Sequence, residues 1–312
     1  MLTSLGHEKQ WQLLQKSALL GKLSHAYLFS GKSQLGKKEM AKEFVKLLNC
    51  QSKFFKNKPC HECQSCLEMK KGLHPDFLWL EAKEETGKSE IGSIRSLADW
   101  LHLKPGLGKY RLAVVNQIHN FSLPAQSALL KTLEEPKGEA VLILISDYPE
   151  FLLDTIMSRV QEIKFHCLPN KRIIDLLLSK GADLKLAKRI AYLCLGKPLK
   201  ALSLLEPSQI KLEEKRIFAF KRMLKKDLVF SFKEIERLAE ETPGLETWLN
   251  VLRIIFLERI GVIEEEIMDQ EEQITLPNLK NLITSLEKAN YLLLKTNANK
   301  RLILENSILE LY

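Results

Sequence analysis

Gly31, Gly36 and Lys37 stand in the stretch LFSGKSQLGKKEMAKEF (28–44) at the spacing of a loop that cradles phosphates. A buried strand, a Gly-containing loop and a helix that begins at a lysine make an anion site. Backbone N–H groups and the positive end of the helix face the phosphates, and the lysine reaches their outer oxygens. The next residue normally supplies a hydroxyl to Mg2+, and here it is Lys38. The acidic half of such a site belongs at the end of a neighbouring strand, as an Asp that holds the metal and a Glu that activates water. In LAVVNQIHNF those places fall on Asn116 and Gln117, neutral amides that cannot act as a general base. Hydrolysis by this chain is therefore not expected, and ATP binding through Gly31, Gly36 and Lys37 is in doubt.

A second constellation is Cys50 followed by CHECQSC, which places Cys60, Cys63 and Cys66 at intervals of three. Two overlapping C-x-x-C units and one further thiolate give the four ligands of a tetrahedral structural zinc site with no open position for chemistry. His61 is an alternative ligand, but Cys60 fits the spacing better. The remaining cysteines, Cys167 and Cys194, lie far away and read as free thiols in apolar surroundings.

The elements that must position these residues follow from the apolar pattern. Short strands are expected at 26–30, 76–80, 110–115, 140–146 and 161–165. Helices are expected at 7–20, 37–48, about 90–102 and 123–135, with a polar loop at 81–89. The third and fourth strands are continuous apolar runs, as both-faced burial in a parallel sheet requires. Beyond Phe165 the pattern is helical, with breaks at Gly181, Gly196–Pro198, Pro243–Gly244, Gly261 and Pro277. The expected fold is an α/β parallel-sheet domain over 1–166 with a zinc-binding insert at 50–66. A small helical lid over 167–207 and an all-α C-terminal domain over 208–312 follow.

Composition restricts the function classes. The chain has 312 residues, 45% apolar and 28% charged, as in soluble globular proteins. No apolar run has the length of a membrane span, and the N-terminus lacks the pattern of a signal peptide. A cytoplasmic location is expected. The net charge of +8 permits an anionic partner without requiring one. The helix at about 209–226 carries Lys211, Lys215, Arg216, Lys221, Arg222, Lys225 and Lys226. This reads as a solvated face, with Ile217, Phe218, Phe220 and Leu224 turned inward. The histidines are scattered, and none is assigned catalysis.

The segments SHAYLFSGKSQLGKK, the four-cysteine insert, LPAQSALLKTLEEP, LILISDYPEFLLDTIMSRVQEIKF and GKPLKAL occur in this order. Over about residues 1–205 they resemble the delta prime family of the bacterial DNA polymerase III clamp loader. That family is a branch of the AAA+ superfamily related to gamma/tau. The resemblance implies a P-loop type fold and a place in a five-subunit ring that opens a sliding clamp and sets it on primed DNA. The implied partners are gamma/tau and delta, with the clamp and primed DNA reached through the complex and no membrane. Gamma/tau hydrolyse ATP, whereas delta prime typically acts as a rigid, non-hydrolysing stator. Lys38, Asn116 and Gln117 agree with the latter. So does Leu199 in GKPLKAL, at the place where active relatives carry a nucleotide-touching Arg. MSRVQ matches the family's Ser-Arg-Cys motif at Ser158 and Arg159, with Val160 in place of Cys. In the family this arginine reaches the γ-phosphate held by the next subunit, as an arginine finger. Two other readings are a gamma/tau-type ATPase and a zinc-bearing adaptor with a degenerate nucleotide fold.

Overall fold

The apolar runs form five parallel strands: β1 (Ala26–Ser30), β2 (Phe77–Glu81), β3 (Arg111–Asn116), β4 (Ala140–Ser146) and β5 (Gln161–Lys164). The computed structural model describes residues 5–54, 59–81, 87–135, 138–225, 231–233, 235–236, 243–260, 275–295 and 299–309. The sheet order is β2-β3-β4-β1-β5, with β1 paired to both β4 and β5. β1 thus lies inside the sheet and delivers its carboxyl end beside those of β4 and β5. β2 and β3 begin one residue later than the apolar pattern suggests. The reason is Asp76, whose backbone turns at the strand entry while its buried carboxylate accepts the N–H groups of Gly106, Leu107 and Gly108, each at 2.7 Å.

Period-two alternation along the strands divides the core into two faces. Tyr27, Phe29, Leu112, Val114, Ile143 and Ile145 point to one face. There they meet Trp11 and Leu14 of α1 (Glu8–Leu19) and Phe44 and Leu47 of α2 (Lys37–Asn49). Phe44 stands edge-on to Tyr27, with ring centroids 5.4 Å apart. Truncating it to Ala would cost about 3–5 kcal/mol. Ala26, Leu28, Ala113, Val115, Leu142 and Leu144 point to the other face. They are covered by α4 (Gly87–Leu101) through Ile94, Leu97 and Leu101, and by α5 (Leu123–Glu134) through Ala125, Leu129 and Leu133. α4 is helical from Gly87, three residues before the expected start. Of the polar loop expected at 81–89, residues 82–86 lie outside the described residues.

The insert adds α3 (Gln64–Lys71), a helix without a clear apolar stripe in the sequence. It ends at Gly72 in the left-handed conformation, φ +71°. Ser65 of α3 and the His74 ring meet at 3.0 Å, and His74 Nδ1 accepts the Asp76 N–H at 3.1 Å. This relay joins α3 to the start of β2.

Two compact units are distinguished: Met1–Lys180 with Gly196–Lys200, and Gly181–Leu195 with Ala201–Tyr312. The first holds the sheet, the short α6 (Asp154–Met157) and α7 (Asn170–Leu178). α9 (Pro198–Ser203) runs across the division. In the second, the described elements are helices: α8 (Leu184–Cys194), α10 (Pro207–Lys225), α11 (Pro243–Arg259), α12 (Leu276–Lys295) and α13 (Lys300–Leu309). Their core stacks Phe220 on Trp248 at 5.1 Å and continues through Leu252, Leu279, Leu282 and Leu286. One expectation for α10 is corrected. Phe220 is buried and Ile217 packs beside it, but Phe218 is exposed. Residues three apart share a helical face, and Phe218 is rotated off it. Lys226 and Gly261 lie outside the described residues. No helix among the described residues is long and apolar enough to cross a membrane.

Candidate functional site

The loop after β1 turns on two glycines. Gly31 has φ +132°, and a Cβ there would lie 2.2 Å from the Phe165 carbonyl oxygen, so this crossing requires glycine. Gly36 has φ +93° and caps the start of α2. α2 therefore begins at Lys37, with its N-terminal N–H groups at the loop, as the spacing of the residues suggests.

The Lys37 side chain turns back into the loop and is buried. Its Nζ donates to the carbonyl oxygens of Gly31 and Lys32, the latter at 2.5 Å. It also forms an ion pair with Asp147 Oδ1 at 2.8 Å. Burial lowers the Lys37 ammonium below its ordinary value, against the pull of the Asp147 charge. Asp147 directly follows β4, and β4 and β1 end in register at Ser146 and Ser30. Sheet register thus brings Asp147 to Lys37 across more than a hundred residues of chain.

At the other side of the loop, Asn116 ends β3 and is fully buried. Its Nδ2 donates to Glu81 Oε1 at 3.1 Å, and its Oδ1 is buried without a hydrogen-bond partner. Glu81 lies opposite Asn116 in register at the end of β2. It also receives Trp79 Nε1 at 3.0 Å and stands 3.7 Å from Lys38 Nζ. The Trp79 hydrogen bond holds the Glu81 carboxyl below its ordinary value. The Lys38 charge and the Asn116 and Lys38 hydrogen bonds act in the same direction. Gln117 follows with φ +53° and ψ +46°, a left-handed conformation uncommon outside glycine. This side of the loop therefore presents an ammonium, an amide and one carboxylate.

Two further segments close on the loop within the first unit. His7 is buried edge-on to Phe165 at 4.9 Å, and burial lowers its pKa. The Leu199 N–H donates to the Gln34 carbonyl oxygen at 3.2 Å. Leu199 thus touches the loop through its backbone.

Arg159 lies between α6 and β5. Its Nη1 donates to the Thr155 carbonyl oxygen at 2.8 Å and to Ser158 Oγ at 3.2 Å. Its Nη2 pairs with Glu134 Oε1 at 2.8 Å, and the side chain remains 34% exposed. Ser158 and Arg159 are brought together. Their partners belong to α5 and α6, not to the phosphate loop.

The sulfurs of Cys50, Cys60, Cys63 and Cys66 all lie within 4.8 Å of one another. Tetrahedral zinc with Zn–S of about 2.3 Å sets its sulfurs ~3.8 Å apart, so the cluster fits such an ion. Backbone N–H groups point at the sulfurs: Ser52 N and Cys60 N to Cys50 Sγ at 3.5 and 3.4 Å, and Cys63 N to Cys60 Sγ at 3.3 Å. The N–H groups of Glu62 and Cys63 bring the Cys60 thiol down to about 6, while burial pushes Cys50 and Cys66 up. His61 Nε2 faces Glu43 Oε2 at 3.4 Å and is not among the clustered ligands. α3 positions Cys66, and the end of α2 positions Cys50.

Spacing alone did not single out Asp147 and Glu81. Their signal is position, since each acidic residue stands at or just past the carboxyl end of an apolar strand, in LILISD and FLWLE.

The family model described as "DNA polymerase III, delta subunit" matches residues 6–169, more than half of the chain. The chain is 35% identical over 170 residues to the DNA polymerase III subunit tau of Bacillus subtilis, covering 54% of this chain and 30% of that protein. It is 35% identical over 151 residues to the DNA polymerase III subunit delta' of Pseudomonas aeruginosa, covering 48% of this chain and 46% of that one. The match thus spans less than two thirds of either relative. A DNA polymerase III gamma subunit-related protein of Thermotoga maritima aligns over 96% of this chain and 98% of its own, with 19% identity and a TM-score of 0.45. The matched segment contains the phosphate loop, the cysteine cluster and Arg159, and the chain belongs to the DNA polymerase III delta subunit family.

Proposed function

We propose that this chain is a non-hydrolysing, delta prime-type subunit of a DNA polymerase III clamp loader. It would act as a stator that helps set the sliding clamp on primed DNA in the cytoplasm. The observation that carries the reading is the metal side of the phosphate loop. Lys38 stands where a hydroxyl is needed, and Asn116 occupies the place of the metal's carboxylate. An ammonium beside a buried amide does not attract a dication, and Gln117 cannot take a proton from water.

The other parts of the reading follow from this. Gamma/tau and delta are the direct partners, and the clamp and primed DNA are met through the complex. Arg159, steadied by Ser158, serves the nucleotide of a neighbouring subunit, and its partial exposure supports this. Cys50, Cys60, Cys63 and Cys66 hold a structural zinc ion, which would fasten the insert to α2 without taking part in chemistry. Residues 1–166 form the AAA+ domain, 167–207 a lid and 208–312 a collar domain.

The similarity to tau favours a second reading, an active gamma/tau-type ATPase. Mg2+-dependent phosphate release by the purified chain decides between the two: none is expected here, and turnover would establish the second. The first reading is tested by reconstitution with gamma/tau and delta. Clamp loading on primed DNA should require this chain, and full loading without it would refute the proposal.

A further inference from the structure

We propose that Asp147 is a built-in counter-anion that holds Lys37 in the place of a phosphate and closes the loop to polyphosphates, nucleoside triphosphates included. This deepens the non-hydrolysing reading of the same loop and rests on it. An ammonium has three donors. Those of Lys37 go to the Gly31 carbonyl, the Lys32 carbonyl and Asp147. An incoming phosphate would have to take the place of Asp147 at 2.8 Å and leave that carboxylate beside its own negative charge.

Asp147 is not an adaptable surface group. Its side chain is 18% exposed, and the Lys37 side chain that it meets is 4% exposed. Its backbone is fixed from behind. The Asp147 N–H donates to His119 Nδ1 at 3.3 Å, Ser146 Oγ meets the same nitrogen at 3.2 Å, and His119 stands edge-on to Tyr148 at 5.2 Å. At the rim, Glu81 stands 3.7 Å from Lys38, with both side chains about half exposed. Lys37 and Lys38 thus each have a resident carboxylate. The Leu199 N–H on the Gln34 carbonyl oxygen braces the loop tip independently of any ligand.

The test is calorimetric titration of the full chain with inorganic pyrophosphate and, separately, with MgATP. The wild type should show no saturable binding up to millimolar ligand. Asp147→Asn keeps the shape and removes the charge. It should bind pyrophosphate at least about tenfold more tightly than the wild-type limit, since the like charge beside the ligand is gone. Pyrophosphate should raise the Tm of the variant and leave that of the wild type unchanged. Micromolar binding by the wild type, or no gain in Asp147→Asn, would overturn the inference. If Asp147→Asn does not fold, Asp147→Ser replaces it, and the wild-type titration stands by itself. Wild-type binding without turnover would sink this inference alone, whereas binding with turnover would also sink the non-hydrolysing reading.

Discussion

Asn116 and Glu81 face each other at the carboxyl ends of β3 and β2, joined by a 3.1 Å hydrogen bond from Asn116 Nδ2 to Glu81 Oε1. On the proposed reading, this amide–carboxylate pair, with Lys38 beside it, stands where an active relative would present a hydroxyl and a free carboxylate to a magnesium nucleotide. Restoring the hydroxyl alone leaves both other defects. Lys38→Thr should therefore show no Mg2+-dependent phosphate release above background in a coupled assay. Turnover by that single variant would mean that Asn116 and Gln117 are no obstacle.

The cysteine cluster leads to a prediction about metal. The purified chain should carry about one zinc ion per molecule by elemental analysis under reducing conditions without chelator. Cys63→Ser should lose most of it and destabilise the insert by about 3 kcal/mol or more, in the range where metal losses fall. Zinc-free wild-type protein of full thermal stability would rule out a structural ion.

Much of this architecture was legible in the sequence because its physics is local. Continuous apolar runs mark β3 and β4, since both faces of a parallel strand are buried. The glycines of the loop and the C-x-x-C spacing are short-range patterns. The pairs that line the loop were not legible. Asp147 meets Lys37, and Glu81 meets Asn116, only through register across neighbouring strands; the local sequence marks each acid's place at a strand end but not its partner. α3 was missed because its helix lacks a strong apolar stripe and is tied down by the Cys66 anchor and the Ser65–His74 contact. Phe218 was misplaced because residues two apart on a helix, such as Phe218 and Phe220, do not share one face.

Asp76 provides a pH dependence. Its burial would raise the carboxyl pKa, but the N–H groups of Gly106, Gly108 and Leu107, with Arg111 at 3.4 Å, bring it below the ordinary value of 3.8. A carboxyl whose folded pKa lies below its unfolded one stabilises the fold above the unfolded value. That contribution is lost as the pH falls from about 4 through the folded pKa. Asp76→Asn should cost about 2–3 kcal/mol at pH 7 and flatten the decline in urea stability as the pH falls below about 4. An equal acid slope in wild type and variant would contradict this assignment.

Arg159 makes an exposed ion pair with Glu134, and such pairs contribute about 0.2–1 kcal/mol. Arg159→Ala should accordingly leave the isolated chain folded, with a stability change within about 1 kcal/mol by chemical denaturation. A loss of several kcal/mol would make Arg159 a structural residue.

The most direct measurement is the DNA- and clamp-stimulated ATPase of the complex rebuilt from this chain with gamma/tau and delta, comparing wild type with Arg159→Ala. A finger arginine contributes roughly 10³–10⁵ in rate at the site it serves. The whole complex should lose less, because its other sites keep their own arginines. Arg159→Lys should rescue only in part, since an ammonium lacks the planar fork. The expected result is a complex that assembles normally by gel filtration yet hydrolyses ATP and loads clamps more slowly with Arg159→Ala. Normal assembly with wild-type hydrolysis and loading would contradict the role in trans proposed for this chain.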